Sequence, residues 1–173
     1  MKHNNINLDK NEIKFLITLL ENGSKSDAQI ARDTKLSKAT VHRIRKKLEK
    51  EKVITDYIPI IDFDKIGVDM FQVIMLRWNR FNDKKLSDKV FAEWENDPHV
   101  IFFANGQGPE FTTVLFTGFV DIHDYDKYFR EFRSNYGEYI DKIETLILPS
   151  SGLIKTDFTD MVLHILKKTG GQV

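Results

Sequence analysis

Residues 37–50 read SKATVHRIRKKLEK, and six of these fourteen are Lys or Arg. Val41, Ile44 and Leu48 recur at helical spacing, which predicts one apolar stripe on an α-helix. Ser37 stands where an N-cap belongs, its hydroxyl placed to accept from a first-turn amide. At about 100° per residue, Ala39, His42, Arg43, Lys46 and Lys50 turn away from the stripe, and Lys38, Arg45 and Lys47 flank that outward face. A solvated helix needs charge on its outer face, but not charge of one sign. The surplus of cations points to a polyanionic partner, and small Ala39 lets the helix approach a groove floor closely.

The neighbouring residues give this helix a context. Asn7-Leu8-Asp9 opens an apolar helical pattern at Ile13, Leu16, Ile17 and Leu20, and Asn22-Gly23 closes it. Ser24 or Ser26 caps a second, shorter helix carrying Ile30 and Ala31. The basic helix follows after Thr34-Lys35-Leu36. Val53-Ile54 and Tyr57-Ile58-Pro59-Ile60-Ile61 read as a β-ribbon. Three helices with a tight second turn, then a ribbon, describe a winged helix-turn-helix. The expected DNA-binding set is Ser37, Lys38, Ala39, Thr40, His42, Arg43, Arg45, Lys46, Lys47 and Lys50. Arg43 is placed to read a guanine edge or clamp a phosphate.

The whole chain of 173 residues has zero formal net charge. That balance hides an asymmetry: residues 1–57 carry 13 Lys+Arg against 8 Asp+Glu, and residues 58–173 carry 13 against 18. Only the front end is built to meet a polyanion. There are no cysteines, which excludes disulfides, Fe–S clusters and thiolate zinc sites. No stretch approaches the roughly 18 apolar residues that span a bilayer, and the first residues lack the apolar core of a signal peptide, so the cytoplasm is the expected location.

Beyond the basic helix, residues 63–69 (FDKIGVD) read as a hinge. Phe71–Trp78 then reads as a strand and Asp83–Asn96 as a helix with Leu86, Val90, Phe91 and Trp94 on one side. Val100–Ala104 and Phe111–Val120 read as strands, Tyr125–Tyr139 as a helix and Ile143–Leu148 as a last strand. The order β-α-β-β-α-β is the ferredoxin-like motif. Phe71, Val73 and Met75 share one face of the first strand, while Ile74, Leu76 and Trp78 share the other. Both helices of the motif cover one face, yet the second face is apolar too, and a second copy of the same sheet is the simplest cover. The terminal segment Asp157–Lys168 is amphipathic and either competes for that role or packs on the partner subunit.

The spaced set Leu8-Asp9, Ala31, Leu36-Ser37, Thr40-Val41, Arg43-Ile44, Leu48-Glu49, Val53-Ile54, Tyr57 and Gly67, with the strand order behind it, resembles the Lrp/AsnC (feast/famine) transcription regulators from Leu8 to about Leu148. The expected fold class is therefore α+β. A winged helix-turn-helix spans 1–62, a hinge 63–69, a ferredoxin-like ligand-binding and dimerisation domain 70–149, and a C-terminal helical extension 150–173. The resemblance implies a homodimer or higher oligomer on double-stranded DNA, and an amino acid or other small effector held at a subunit interface. The loop Asn105, Gly106, Gln107, Gly108, Pro109, Glu110 takes the position of the family's effector loop, with Glu110 in the acidic role and Pro109 where the family pattern has Asp. Lys35 stands where the family has Gly in the helix-turn-helix turn.

Two other readings share these features: a DNA-packing protein with little sequence preference, and an enzyme of the sirohaem decarboxylase type, which resembles this family. For the enzyme, His99 or His123 with Arg77 or Arg130 are the residues available, though their spacing gives no specific support. No zincin-like pair, phosphate-binding Gly loop or Ser-His-Asp arrangement is visible, so no catalytic residue, metal or cofactor is expected. His99 and His123 read as solvated, and DIHDYD (121–126) as the charged start of a helix.

Overall fold

The structure is a computed structural model and describes residues 7–79, 84–155 and 157–169. The chain divides into two compact units, residues 1–61 with 156–173, and residues 62–155.

The first unit holds α1 (Lys10–Glu21), α2 (Asp27–Thr34), α3 (Lys38–Lys50) and α6 (Thr159–Thr169). Asp9 caps α1 through a capping box with Glu12, and Ser26 caps α2 through one with Gln29. Ser37 caps α3 by accepting from the Thr40 amide at 3.0 Å. Each cap satisfies first-turn amides that have no helical partner. Ile13, Phe15, Leu16, Leu19, Ile30, Val41, Ile44, Leu48 and Leu166 form one core. The buried face of α1 is wider than the single stripe expected from its sequence, because α2, α3 and α6 all pack against it.

Two features of this unit differ from the sequence expectation. The segment after α3 forms no ribbon: residues 55–62 are unassigned coil, with Ile58 and Ile60 exposed. Pro59 removes a ladder donor, and an isolated two-stranded ribbon is marginal in water. The C-terminal helix, for its part, belongs to the first unit rather than to the sheet. Leu166 joins the helix-turn-helix core and Val162 packs beside it.

Lys35 closes α2 in the left-handed conformation, φ 59° and ψ 31°, with its amide hydrogen-bonded to Ala31 and Arg32 carbonyls. A side chain in this region costs about 1–2 kcal/mol, which is why glycine is common there. Lys35→Gly should therefore raise stability by up to about 1 kcal/mol, after the entropy that glycine adds to the unfolded chain is subtracted. A thermal melt of the variant against the parent checks this, with Lys35→Val expected to lower the midpoint.

The second unit is a four-stranded antiparallel sheet in the order β2-β3-β1-β4, from β1 (Met70–Trp78), β2 (Val100–Asn105), β3 (Thr113–Phe119) and β4 (Ile140–Pro149). With α4 (Lys84–Glu95) and α5 (Ile122–Tyr136) it makes the ferredoxin-like motif. The Asp83 start expected for α4 lies outside the described residues. Ile74, Leu76, Leu115 and Phe119 meet Val90, Trp94, Tyr128 and Phe132 from the helices in one aromatic-rich core. The residues read as a hinge are tied into this unit: the Phe63 ring packs edge-on against Phe71, the Asp69 amide donates to the Phe119 carbonyl, and Gly67 takes φ 81°.

Alternation puts Phe71, Val73 and Met75 on the sheet's second face. Phe71↔Gly118, Val73↔Phe116 and Val73↔Leu146 are paired across the strands. A register shift between Val100 and Phe102 brings Ile101 to this face beside Phe102, since a Cβ built on Gly118 would sit 3.3 Å from Ile101 Cδ1. Ile101, Phe102 and Leu146 are exposed there.

Gln72 lies on β1 in register with Thr117, alternating with the exposed-face residues, and it is fully buried. Neither its Nε2 nor its Oε1 finds a hydrogen-bond partner. An unpaired buried amide is costly, so Gln72→Met should stabilise the second unit by about 1–2 kcal/mol. Denaturant unfolding checks this; a loss of stability would mean that the amide does find partners in solution.

Candidate nucleic-acid interface

The caps and the core fix which side chains of α3 are available. Val41, Ile44 and Leu48 are buried, and this turns Lys38, Ala39, His42, Arg43, Lys46 and Lys50 outward and exposed. Ser37 and Thr40 sit at the helix start, their hydroxyls 2.8 Å apart. The N-terminal turn thus presents two hydroxyls and the positive end of the helix dipole to whatever approaches.

Two of the cations that the sequence places flanking the outward face, and among the expected DNA contacts, are paired within the unit. Arg45 donates from Nε to Asp27 Oδ1 at 2.7 Å and from Nη1 to the Tyr57 hydroxyl at 2.7 Å. Its guanidinium also lies over the Phe15 ring at 5.2 Å and the Tyr57 ring at 5.5 Å. The Tyr57 hydroxyl donates in turn to Glu49 Oε1 at 3.0 Å, so the segment after α3 is fastened back onto that helix. Lys47 reaches the buried carboxylate of Glu12, whose other oxygen accepts from the Asp9 amide. A helical wheel does not find these partners, because Phe15, Asp27 and Glu12 come from other helices. His42 is tethered as well, with Nδ1 3.2 Å from Asp27 Oδ2, but its side chain remains 62% exposed. Lys46 makes only a loose contact with Glu49 at 3.7 Å.

Burial pushes the Asp27 pKa up, but hydrogen bonds from Arg45 and His42 outweigh it and hold the carboxyl below its ordinary value. A carboxyl held low contributes stability above its unfolded pKa and loses it as pH falls through the folded value. The stability difference between the parent and Asp27→Asn should therefore be constant at neutral pH and shrink below about pH 3.8. Thermal melts across a pH series measure it; a difference independent of pH down to full protonation would contradict the clamp.

The loop from Asn105 to Glu110 is entirely exposed. It is closed by hydrogen bonds from the Gly106 amide to the Thr112 carbonyl at 2.8 Å and from Arg77 Nη1 to the Pro109 carbonyl at 3.1 Å. A Cβ on Gly108 would meet the Phe111 carbonyl oxygen at 2.8 Å, so this position needs glycine. Asn105 accepts from the Thr113 hydroxyl, which accepts from Trp78 Nε1. Glu110 pairs with Lys142 at 2.6 Å, and that hydrogen bond holds its carboxyl below the ordinary range. Lys142 also pairs with Glu144 and lies over the Phe111 ring. An amine seeking Glu110 therefore competes with a cation already in place.

The histidines expected to be solvated differ. His99 sits between Asp97 and Asp124, each 3.2 Å from a ring nitrogen, and packs on Phe119 and Tyr128. Its carboxylate partners come from the turn before β2 and from α5, which strand-end position alone does not reveal. Asp121 caps α5, accepting from the His123 and Asp124 amides at 2.8 Å, as the acidic run leads one to expect. Among the described residues no group of three or more His, Asp or Glu is arranged to hold a metal ion, and no helix is long and apolar enough to cross a membrane.

Comparison with known proteins agrees with this geometry. A family model described as winged helix-turn-helix DNA-binding matches residues 8–55. No curated protein matches the sequence. Among solved structures, an AsnC family transcriptional regulator from Agrobacterium tumefaciens superimposes with a TM-score of 0.70 at 21% identity, over 82% of this chain and 90% of its own. A transcriptional regulator from Neisseria meningitidis, solved as a complex with L-Met, gives 0.71 at 19% identity over 82% and 90%. AsnC of E. coli gives 0.70 at 18% identity over 88% and 99%. Residues 8–55 therefore match a winged helix-turn-helix DNA-binding family through their three helices, and the chain has the fold of AsnC-type regulators.

Proposed function

We propose that the protein is a sequence-specific DNA-binding transcription regulator of the Lrp/AsnC type, and not an enzyme. The observation that carries this is the sorting of α3. Arg45 and Lys47 are spent on Asp27 and Glu12, while Lys38, Ala39, His42, Arg43, Lys46 and Lys50 stay outward on a rigid, capped helix. In this reading α3 enters the major groove with Ser37 and Thr40 near the phosphates. Arg43, exposed on that face, reads a base edge; Lys38, Lys46 and Lys50 take phosphates and make affinity salt-dependent.

The apolar second face of the sheet supports a dimer, with Val73, Phe102, Phe116 and Leu146 meeting their counterparts from a second copy. Dimerisation would place two copies of α3 on half-sites about one helical turn apart, or a multiple of it. The loop Asn105–Glu110 is the proposed effector site, with the Gln107 and Gly108 amides offered to a carboxylate while the Gly106 amide closes the loop on the Thr112 carbonyl. The L-Met complex of the Neisseria regulator supports an amino acid as the class of ligand. Such a ligand shifts assembly only if it binds one state more tightly than the other.

Arg43→Ala should weaken binding to the operator by ~1–3 kcal/mol and relax preference at one base pair, with no change in the thermal midpoint. Arg45→Ala should do the opposite, lowering the midpoint by unpairing Asp27 and leaving base preference intact. Mobility-shift titrations beside thermal melts separate the two. If Arg43→Ala leaves affinity and preference unchanged, α3 does not read DNA as proposed.

A further inference from the structure

We propose that α6 is an assembly surface, and that its occupant is α6 of a second copy in antiparallel orientation. Val162 and Leu166 anchor the helix in the core of the first unit, so its orientation is fixed. The neighbouring face carries Phe158, Met161 and Ile165, which are 72%, 54% and 51% exposed. Their i, i+3, i+7 spacing is the stripe of a helix that buries an apolar seam. Solvent gains nothing from three large apolar side chains held in line on a rigid helix.

Charge chooses the partner and its direction. Asp157 and Asp160 lie towards the start of the helix, and Lys167 and Lys168 lie at its end. A parallel copy would set acid against acid and lysine against lysine. An antiparallel copy, with its two-fold axis near residue 162, sets Asp157 beside Lys168 and Phe158 beside Ile165, with Met161 close to its own counterpart. Antiparallel helix dipoles add to that preference. The stripe is small against the roughly 1,000 Å² expected of an interface that stands alone. It therefore acts as an added contact between chains that another surface has already brought together, where effective concentration is high.

The chain has no cysteine, so one introduced cysteine is a clean reporter. Met161→Cys should form an intermolecular disulfide under mild oxidation at least about tenfold faster than Lys89→Cys, an exposed control on the second unit. An equal mixture of Asp157→Cys and Lys168→Cys chains should cross-link to each other in preference to themselves. Lys168→Glu should lower the assembly mass in sedimentation, and adding Asp157→Lys should restore it. Cross-linking of Met161→Cys at the control rate overturns the proposal, as does self-linking of Asp157→Cys, which marks a parallel pair. None of these readouts involves DNA, so the inference stands or fails apart from the regulator reading.

Discussion

The position of Arg45 governs the first unit. Its guanidinium is held by Asp27 of α2, faced by the Phe15 ring of α1 and the Tyr57 ring after α3, and bonded to the Tyr57 hydroxyl. One side chain thus ties three helices and the following segment together. Its own charge is neutralised in the process, as partial burial requires. Lys47 and Glu12 repeat the arrangement on the other side of α3. With these two cations committed, the helix cannot roll about its axis without breaking two ion pairs and uncovering Val41, Ile44 and Leu48. The basic face is therefore a fixed surface, and recognition of a regular polyanion depends on such pre-organisation.

The same physics explains what was legible in the sequence. Val41, Ile44 and Leu48 follow the helical period, and Ser37, Asp9 and Asp121 are short polar residues directly before such patterns; these local signals placed the helices and caps. The strand order emerged because apolar alternation and intervening helices leave few ways to fold a βαββαβ chain. Element ends moved by a few residues: α5 begins at Ile122 because Asp121 caps it, and β4 starts at Ile140 because it pairs with Trp78 on β1.

What was not legible depended on groups far apart in the chain. Arg45 looks like any outward cation until Phe15, Asp27 and Tyr57 surround it. His99 looks solvated until α5 brings Asp124 to its second ring nitrogen. Residues 53–61 have β-branched composition without a partner strand, so composition misled there. The amphipathic pattern of 157–168 marked a helix, but a pattern cannot say which apolar surface the helix covers. The answer came from α1, whose third apolar face needed cover and found Val162 and Leu166. The candidate effector loop was visible from its glycines, whereas the Lys142 partner of Glu110 lies 32 residues further on.

The central claim is that the outward face of α3 meets DNA with sequence preference. The most direct measurement is the affinity of the purified protein for its own upstream DNA and for a scrambled duplex of the same composition, each across a salt series. The account predicts a steep loss of affinity with salt on both duplexes, with the upstream DNA bound more tightly throughout. Equal affinity for the two would make the protein a DNA-packing factor, and no binding to either at low salt would contradict a DNA-binding role for α3.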